Sequence, residues 1–197
     1  MLKCLSARML GYQKNEYVLQ TGDAVTWVGI VLSGGVHVVQ EDFWGNRAIL
    51  TRAGPGEVFA EAFSCAEIDR LPVSVVASEK VEVLQIDYQR IITTCSPVCV
   101  FHAKLIENML RIIAQNNILL TQKVEHLAQR NTRSKLLSYL AAQAKQHKNN
   151  AFDIPFDRQE LADYLCVDRS AMSKELGRMR DEGILLFEKN RFELLDV

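Results

Sequence analysis

The chain has 197 residues, with 23 Lys and Arg against 24 Asp and Glu, a net charge of −1, and 48% hydrophobic residues. Those values exclude disordered, collagen-like and rod-like designs, and the length suffices for one large domain or two small ones with real cores. The longest apolar run, Trp27 to Leu32, stops at six residues, far short of the ~20 that cross a bilayer, so no membrane segment is expected.

The N-terminus, MLKCLSARML, lacks the sustained apolar stretch of a secretion signal. Five cysteines (Cys4, Cys65, Cys95, Cys99 and Cys166) form an odd, scattered set, which reads as reduced thiols in a cytoplasm rather than a disulfide framework. The charge is uneven along the chain: 8 basic and 11 acidic residues in 1–97, 4 and 2 in 98–131, and 11 and 11 in 132–197. No segment is a basic tail, so binding to a polyanion has to come from local geometry.

Residues 1–97 read as all-β. Runs of Val, Ile and aromatics (Tyr17–Leu19, Trp27–Leu32, Val36–Val39, Ala48–Leu50, Val73–Ala77 and Val81–Ile86) alternate with Gly-containing turns such as Thr21-Gly-Asp23 and Gly54-Pro-Gly56. Short strands at this spacing, with no helical pattern of any length between them, predict a sandwich or small barrel.

After Pro97 the pattern changes. Residues 98–130 hold no Gly or Pro, and Ile106, Leu110, Ile113, Asn117, Leu120, Val124 and Leu127 recur at alternating steps of 4 and 3. Such a heptad line predicts a long helix that pairs with a second copy, with Asn117 as the polar residue that sets register. Leu105, Met109, Ile112 and Leu119 form a second apolar edge that can face the β domain.

A boundary follows at Asn131, which can cap a helix running to about His147, and Phe152 to Phe156 reads as a short strand. Asp157 and Glu160 have capping-box spacing for the next helix, which buries Leu161, Ala162 and Leu165. A tight turn at Cys166-Val167 leads to Asp168, the cap of a second helix whose Met172, Leu176 and Met179 face the core. Its other face carries Arg169, Ser170, Ser173, Lys174, Gly177 and Arg178, short or basic residues suited to a DNA major groove. Two apolar stretches around Lys189-Asn190 complete a helix–turn–helix with a wing.

On the Gly-punctuated β region, the long helix, Arg158-Gln-Glu-Leu-Ala162 and Arg169-Ser-x-x-Ser-Lys174, the chain resembles the Crp/Fnr-type bacterial transcription regulators over nearly its whole length. The resemblance implies an α+β chain in three parts. Residues 1–97 are a double-stranded β-helix (jelly-roll) sensor, 98–131 a long dimerisation helix, and 132–197 a winged helix-turn-helix domain. It also implies a cytoplasmic homodimer that binds a palindromic operator in double-stranded DNA and works with RNA polymerase, and no enzymatic activity. The DNA contacts it implies are Arg169 and Lys174 to guanines or phosphates, Ser170, Ser173 and Arg178 on the same helix face, and Arg158, Lys189 and Arg191 positioning phosphates. Family members ordinarily carry a longer stretch ahead of the β region, so a short lead is expected here.

Members that bind cyclic nucleotides hold the phosphate in a cassette with Gly-Glu at its start and Arg-Ser or Arg-Thr about ten residues on. Gly56-Glu57 resembles the start, but Leu71-Pro72 stands where Arg-Ser belongs. Leu cannot neutralise a phosphate and Pro has no N–H. Arg70 is one position early, which strand alternation sends to the other face, and Leu120, with Thr121 beside it, stands where nucleotide binders use a hydroxyl. Cyclic AMP or cyclic GMP is therefore not expected; Gly56, Glu57, Arg70, Leu120 and Thr121 remain the candidates for some other effector.

An iron–sulfur cluster needs more clustered cysteines than Cys4 alone provides at the N-terminus. Haem needs an axial ligand such as His37 or Cys65, and His37 sits between valines as a structural histidine does. Cys95 and Cys99 can be a thiol switch or two ordinary buried cysteines. His37, His102, His126 and His147 lie too far apart for a metalloenzyme of cupin type, and no metal site is expected. A sensory module that regulates a partner protein, rather than DNA, is the alternative reading.

Overall fold

In a computed structural model, which describes residues 5–93 and 100–195, the apolar runs of the first half become strands. Cys4, Cys95 and Cys99, and with them the thiol pair, lie outside the described residues. The strands are β1 (Arg8–Tyr12), β2 (Tyr17–Leu19), β3 (Trp27–Ser33), β4 (Val36–Glu41), β5 (Arg47–Ala53), β6 (Val58–Phe59), β7 (Ser74–Ala77) and β8 (Val81–Asp87). They pair antiparallel in two four-stranded sheets, β1-β8-β3-β6 and β2-β7-β4-β5.

Side chains at every second position supply the layer between the sheets. Val81 and Val83 of β8, Val36 and Val38 of β4, and Val75 and Ala77 of β7 are buried in one cluster with Leu19, Phe59 and Leu71. Each fully buried aliphatic side chain contributes about 1.5–3 kcal/mol of hydrophobic stabilisation. Gly29 is required by this packing, because a Cβ there would lie 2.3 Å from the Phe59 ring. His37 is 4% exposed within β4, where it pairs with Arg52 of β5 and Val76 of β7.

Two short helices interrupt the strands, α1 (Glu61–Cys65) and α2 (Tyr88–Ile92). α1 is entered through Ala60 in the left-handed region, φ +64, a conformation that costs a residue with a Cβ about 1 kcal/mol. Ser64 ties α1 to β3 by donating to the Trp27 carbonyl at 2.6 Å.

The Gly- and Pro-free stretch forms one helix, α3 (Val100–Leu127). The chain divides into two units, 1–118 and 119–197, and the divide falls within this helix. In the first unit, Leu105 and Met109 of α3 pack on Leu5, Val28, Ile86 and Ile91. His102 is buried against the Arg90 carbonyl at 3.2 Å. The heptad residues lie elsewhere on the helix: Leu110, Leu120 and Val124 are 64%, 49% and 65% exposed. Asn117 is exposed as well, while Ile106, Ile113 and Leu127 are half-buried. Of the second apolar edge, Leu105, Met109 and Ile112 are half-buried and Leu119 is exposed. No helix among the described residues is long and apolar enough to cross a membrane.

The second unit holds α4 (Thr132–His147), β9 (Ala151–Asp153), α5 (Arg158–Leu165), α6 (Arg169–Asp181), β10 (Leu185–Glu188) and β11 (Arg191–Leu194). The strands form one antiparallel sheet in the order β10-β11-β9. Each helix starts where its cap stands. Asn131 accepts from the Ser134 N–H, Asp157 and Glu160 close a capping box, and Asp168 accepts from the Ala171 N–H. Such caps contribute about 1 kcal/mol each.

Candidate nucleic-acid interface

α6 is split lengthwise by its sequence. Met172, Leu176 and Met179 are fully buried, held among α4, α5 and the sheet. Arg169, Ser170, Ser173 and Lys174 are exposed and share an arc of about 140° at 100° per residue, centred about 120° around the helix from the core residues. Gly177, half-buried, lies on the same arc with nothing within 4 Å of where its Cβ would be, so the face has room for a close approach.

Electrostatics set this face apart from an ordinary solvated one. Arg169 is the first residue of α6, and the first turn has no acidic residue. A cation at a helix N-terminus opposes the macrodipole and costs a few tenths of a kcal/mol at an exposed site. Asp168 offsets it: the Ser170 hydroxyl, then the Ala171 N–H, donate to its carboxylate and hold its pKa below the usual range. Ser170 is thus engaged at the cap, while Ser173 and Lys174 point outward a turn later.

Arg178 is drawn to the side of the helix. Its guanidinium lies 3.4 Å from Glu175, which also meets Arg133 of α4 at 3.4 Å. Arg133 also pairs with Glu182, and the Glu182 partnership holds the Arg133 pKa up and the Glu182 pKa down. This network fastens α4 to α6.

The wing turns at Lys189, φ +48, between the paired residues Glu188 and Arg191. Lys189 and Arg191 are both exposed. Arg158 sits differently: its guanidinium lies 4.8 Å from both the Phe187 and the Phe192 ring centres. Its Nη1 is buried without a hydrogen-bond partner, and this burial lowers its pKa. The residue is half-buried and stacks on the two strands of the wing, β10 and β11.

Of the effector candidates, Gly56, Glu57 and Arg70 lie in the first unit and Leu120 and Thr121 in the second. Gly56, φ +82, and Glu57 form an exposed turn in which the Glu57 carboxylate accepts from the Gly54 N–H at 2.7 Å. Arg70 is exposed while Leu71 is 2% exposed within the core. Leu120 and Thr121 are exposed and belong to the second unit.

Sequence reasoning missed Glu61, a carboxylate 6% exposed at the start of α1. The signal was available: counting ten residues back from Leu71 reaches Ala60-Glu61, not Gly56-Glu57. Ala in place of Gly hid it, although Ala60 adopts the left-handed conformation that glycine favours. Nearby, burial and then the Glu61 carboxylate raise the Cys65 thiol pKa, which favours the unreactive protonated form. No cluster of three His, Cys, Asp or Glu among the described residues is arranged to hold a metal.

Residues 10–96 match the family model for the cyclic nucleotide-binding domain, and residues 134–197 match that for the Crp-like helix-turn-helix domain. No curated protein sequence matches the chain. Among solved structures, FixK2 from Bradyrhizobium japonicum superposes at a TM-score of 0.76 with 17% identity, covering 96% of this chain and 93% of that one. The c-di-GMP responsive global regulator CLP from Xanthomonas campestris gives 0.77 with 20% identity, covering 99% and 97%. A CooA mutant from Carboxydothermus hydrogenoformans gives 0.76 with 18% identity, covering 100% and 87%. At these identities the likeness speaks for the fold. The two family models, set on a β-roll, a long helix and a winged helix-turn-helix, place the chain in the Crp/Fnr family of transcription regulators.

Proposed function

We propose that the chain acts as a homodimer that reads a palindromic DNA operator, with α6 of each copy in the major groove of one half-site. The observation that carries this reading is the division of α6, with three core residues buried and Arg169, Ser170, Ser173 and Lys174 exposed on a separate arc. The exposed heptad line of α3, with Leu110, Leu120 and Val124 in solvent, supplies a self-complementary surface of the kind a two-fold dimer uses. Two recognition helices joined in that way address half-sites about 34 Å apart, one turn of DNA.

In this reading residues 1–97 sense a signal, 98–131 carry it and pair the copies, and 132–197 bind DNA. Arg169 and Lys174 contact guanines or phosphates. Ser173 makes a shorter contact, as does Ser170 once it leaves its cap. Lys189 and Arg191 position the wing on the backbone, with Arg178 toward phosphates beside α6 and Arg158 bracing the wing. The protein works by binding, in the cytoplasm and with RNA polymerase as its onward partner, and performs no catalysis.

Selection from a random duplex library with the purified full chain, followed by footprinting, tests the reading. An inverted repeat protected symmetrically on both half-sites supports it. Binding that shows no sequence preference at any salt concentration overturns it.

A further inference from the structure

Glu61 is a buried carboxylate of the β-roll, 6% exposed, and the Asn116 side-chain amide donates to its Oε1 at 2.7 Å across 55 residues of sequence. A carboxyl oxygen shut away from water is costly without a partner, and a hydrogen bond from a side-chain amide supplies one. Asn116 immediately precedes Asn117, the polar member of the exposed heptad line. The bond therefore fixes the rotation of α3 next to the position that sets register.

The place for a cyclic phosphate is closed. Leu71, ten residues beyond Glu61, is 2% exposed and packed in the core with Val18, Leu19 and Val25. Its N–H is donated to the Asp23 carbonyl at 2.9 Å, and its own carbonyl accepts from Gly22 at 2.8 Å. Pro72 has no N–H to offer. At Leu71-Pro72 a phosphate would meet neither a cation nor an available amide.

We propose that the Asn116–Glu61 bond is a built-in latch that does internally what a bound effector would do, tying the α1 corner of the roll to α3 and leaving the chain competent for its operator without a cyclic nucleotide. This rests on the DNA-binding reading above. With the latch closed, the exposed stripe of α3 is presented in one orientation to a second copy. With it open, α3 rotates or frays and the two recognition helices lose their spacing.

The test uses the full chain as wild type, as Asn116→Asp, and as the double variant Glu61→Gln with Asn116→Asp, in which amide and carboxylate exchange places and the bond re-forms with reversed polarity. Affinity for the selected duplex is measured with and without cyclic AMP or cyclic GMP at about 1 mM, alongside thermal melting. The latch predicts that wild type binds without nucleotide and changes less than about twofold on adding it. It also predicts that Asn116→Asp loses about tenfold or more, and that the double variant regains most of the loss.

Wild-type affinity for Asn116→Asp, or a tenfold gain with nucleotide, overturns it. So does a double variant as weak as Asn116→Asp although it melts with the wild type. Should wild type select no DNA sequence, the DNA-binding reading fails on its own, and amide hydrogen exchange then decides the latch. Faster exchange at residues 62–66 in Asn116→Asp, reversed in the double variant, supports it; exchange unchanged by Asn116→Asp overturns it.

Discussion

Lys123, near the end of α3, holds its ammonium 4.2 Å from the centre of the Tyr164 ring of α5, at 6% exposure. Three residues on, His126 is buried too, with Nδ1 2.8 Å from the Ser138 hydroxyl and its ring edge-on to Tyr139. Two polar residues at helical spacing thus join the last turns of α3 to α4 and α5 within the second unit. Burial pulls the Lys123 pKa down from 10.5 to about 8, and it lowers that of His126 as well.

The sign of the pH dependence follows. Between about 8 and 10.5 the unfolded chain keeps a proton at Lys123 that the folded chain has released, so stability rises with pH across that window. Below it, the full cost of burying the ammonium is present. Lys123→Met removes that cost, and its variant is expected to melt higher than wild type at pH 7, with the gap narrowing as pH approaches 10. A gap that stays constant across this range, in melts followed by near-UV circular dichroism, contradicts the assignment.

Within α6, stability and recognition separate by face. Leu176→Ala opens a cavity beneath the helix and costs about 2–5 kcal/mol of stability. Lys174→Ala changes stability by less than about 0.5 kcal/mol, yet it weakens binding and, where the ammonium meets a phosphate, reduces the salt slope by about 1. Urea melts and salt titrations on the two variants check the division. A large loss of stability in Lys174→Ala counts against it.

The stripe on α3 gives a prediction about assembly. Val124→Asp places a charge on a side chain that is 65% exposed in the single chain, so the monomer fold is kept while self-association weakens. Asn117→Leu removes the polar heptad residue and is expected to change register or oligomeric state rather than to dissociate the dimer. Sedimentation equilibrium distinguishes the two effects, and unchanged association in both variants contradicts pairing along this stripe.

Arg158 is expected to behave as a support. Arg158→Ala loses the stacking on Phe187 and Phe192, about 0.5–2 kcal/mol, and loosens the wing. Arg158→Met keeps the aliphatic packing and also removes the buried unpartnered Nη1, so it melts at or above the wild type. Destabilisation of Arg158→Met equal to that of Arg158→Ala rules out the packing role.

Much of this was legible in the sequence, and the exceptions have physical causes. Tyr17–Leu19 is β2 with the same ends, and Asn131, Asp157 and Asp168 cap the helices that their spacing indicates. Met172, Leu176 and Met179 announce their burial by 3–4 spacing. β1 was missed because its side chains are mostly exposed and show no alternation, and β6 because two residues carry no period. α1 begins at an alanine in a conformation usually left to glycine, which hid Glu61. Its partner Asn116 lies 55 residues away, a pairing that no local pattern reports.

The most direct test of the DNA-binding account is the affinity of Arg169→Ala for the selected operator and for single-base variants of it, at fixed salt. The account predicts a loss of about 1–3 kcal/mol on the cognate duplex, with discrimination relaxed at one symmetric base-pair position in each half-site. Unchanged affinity and unchanged discrimination would contradict the placement of α6 in the groove.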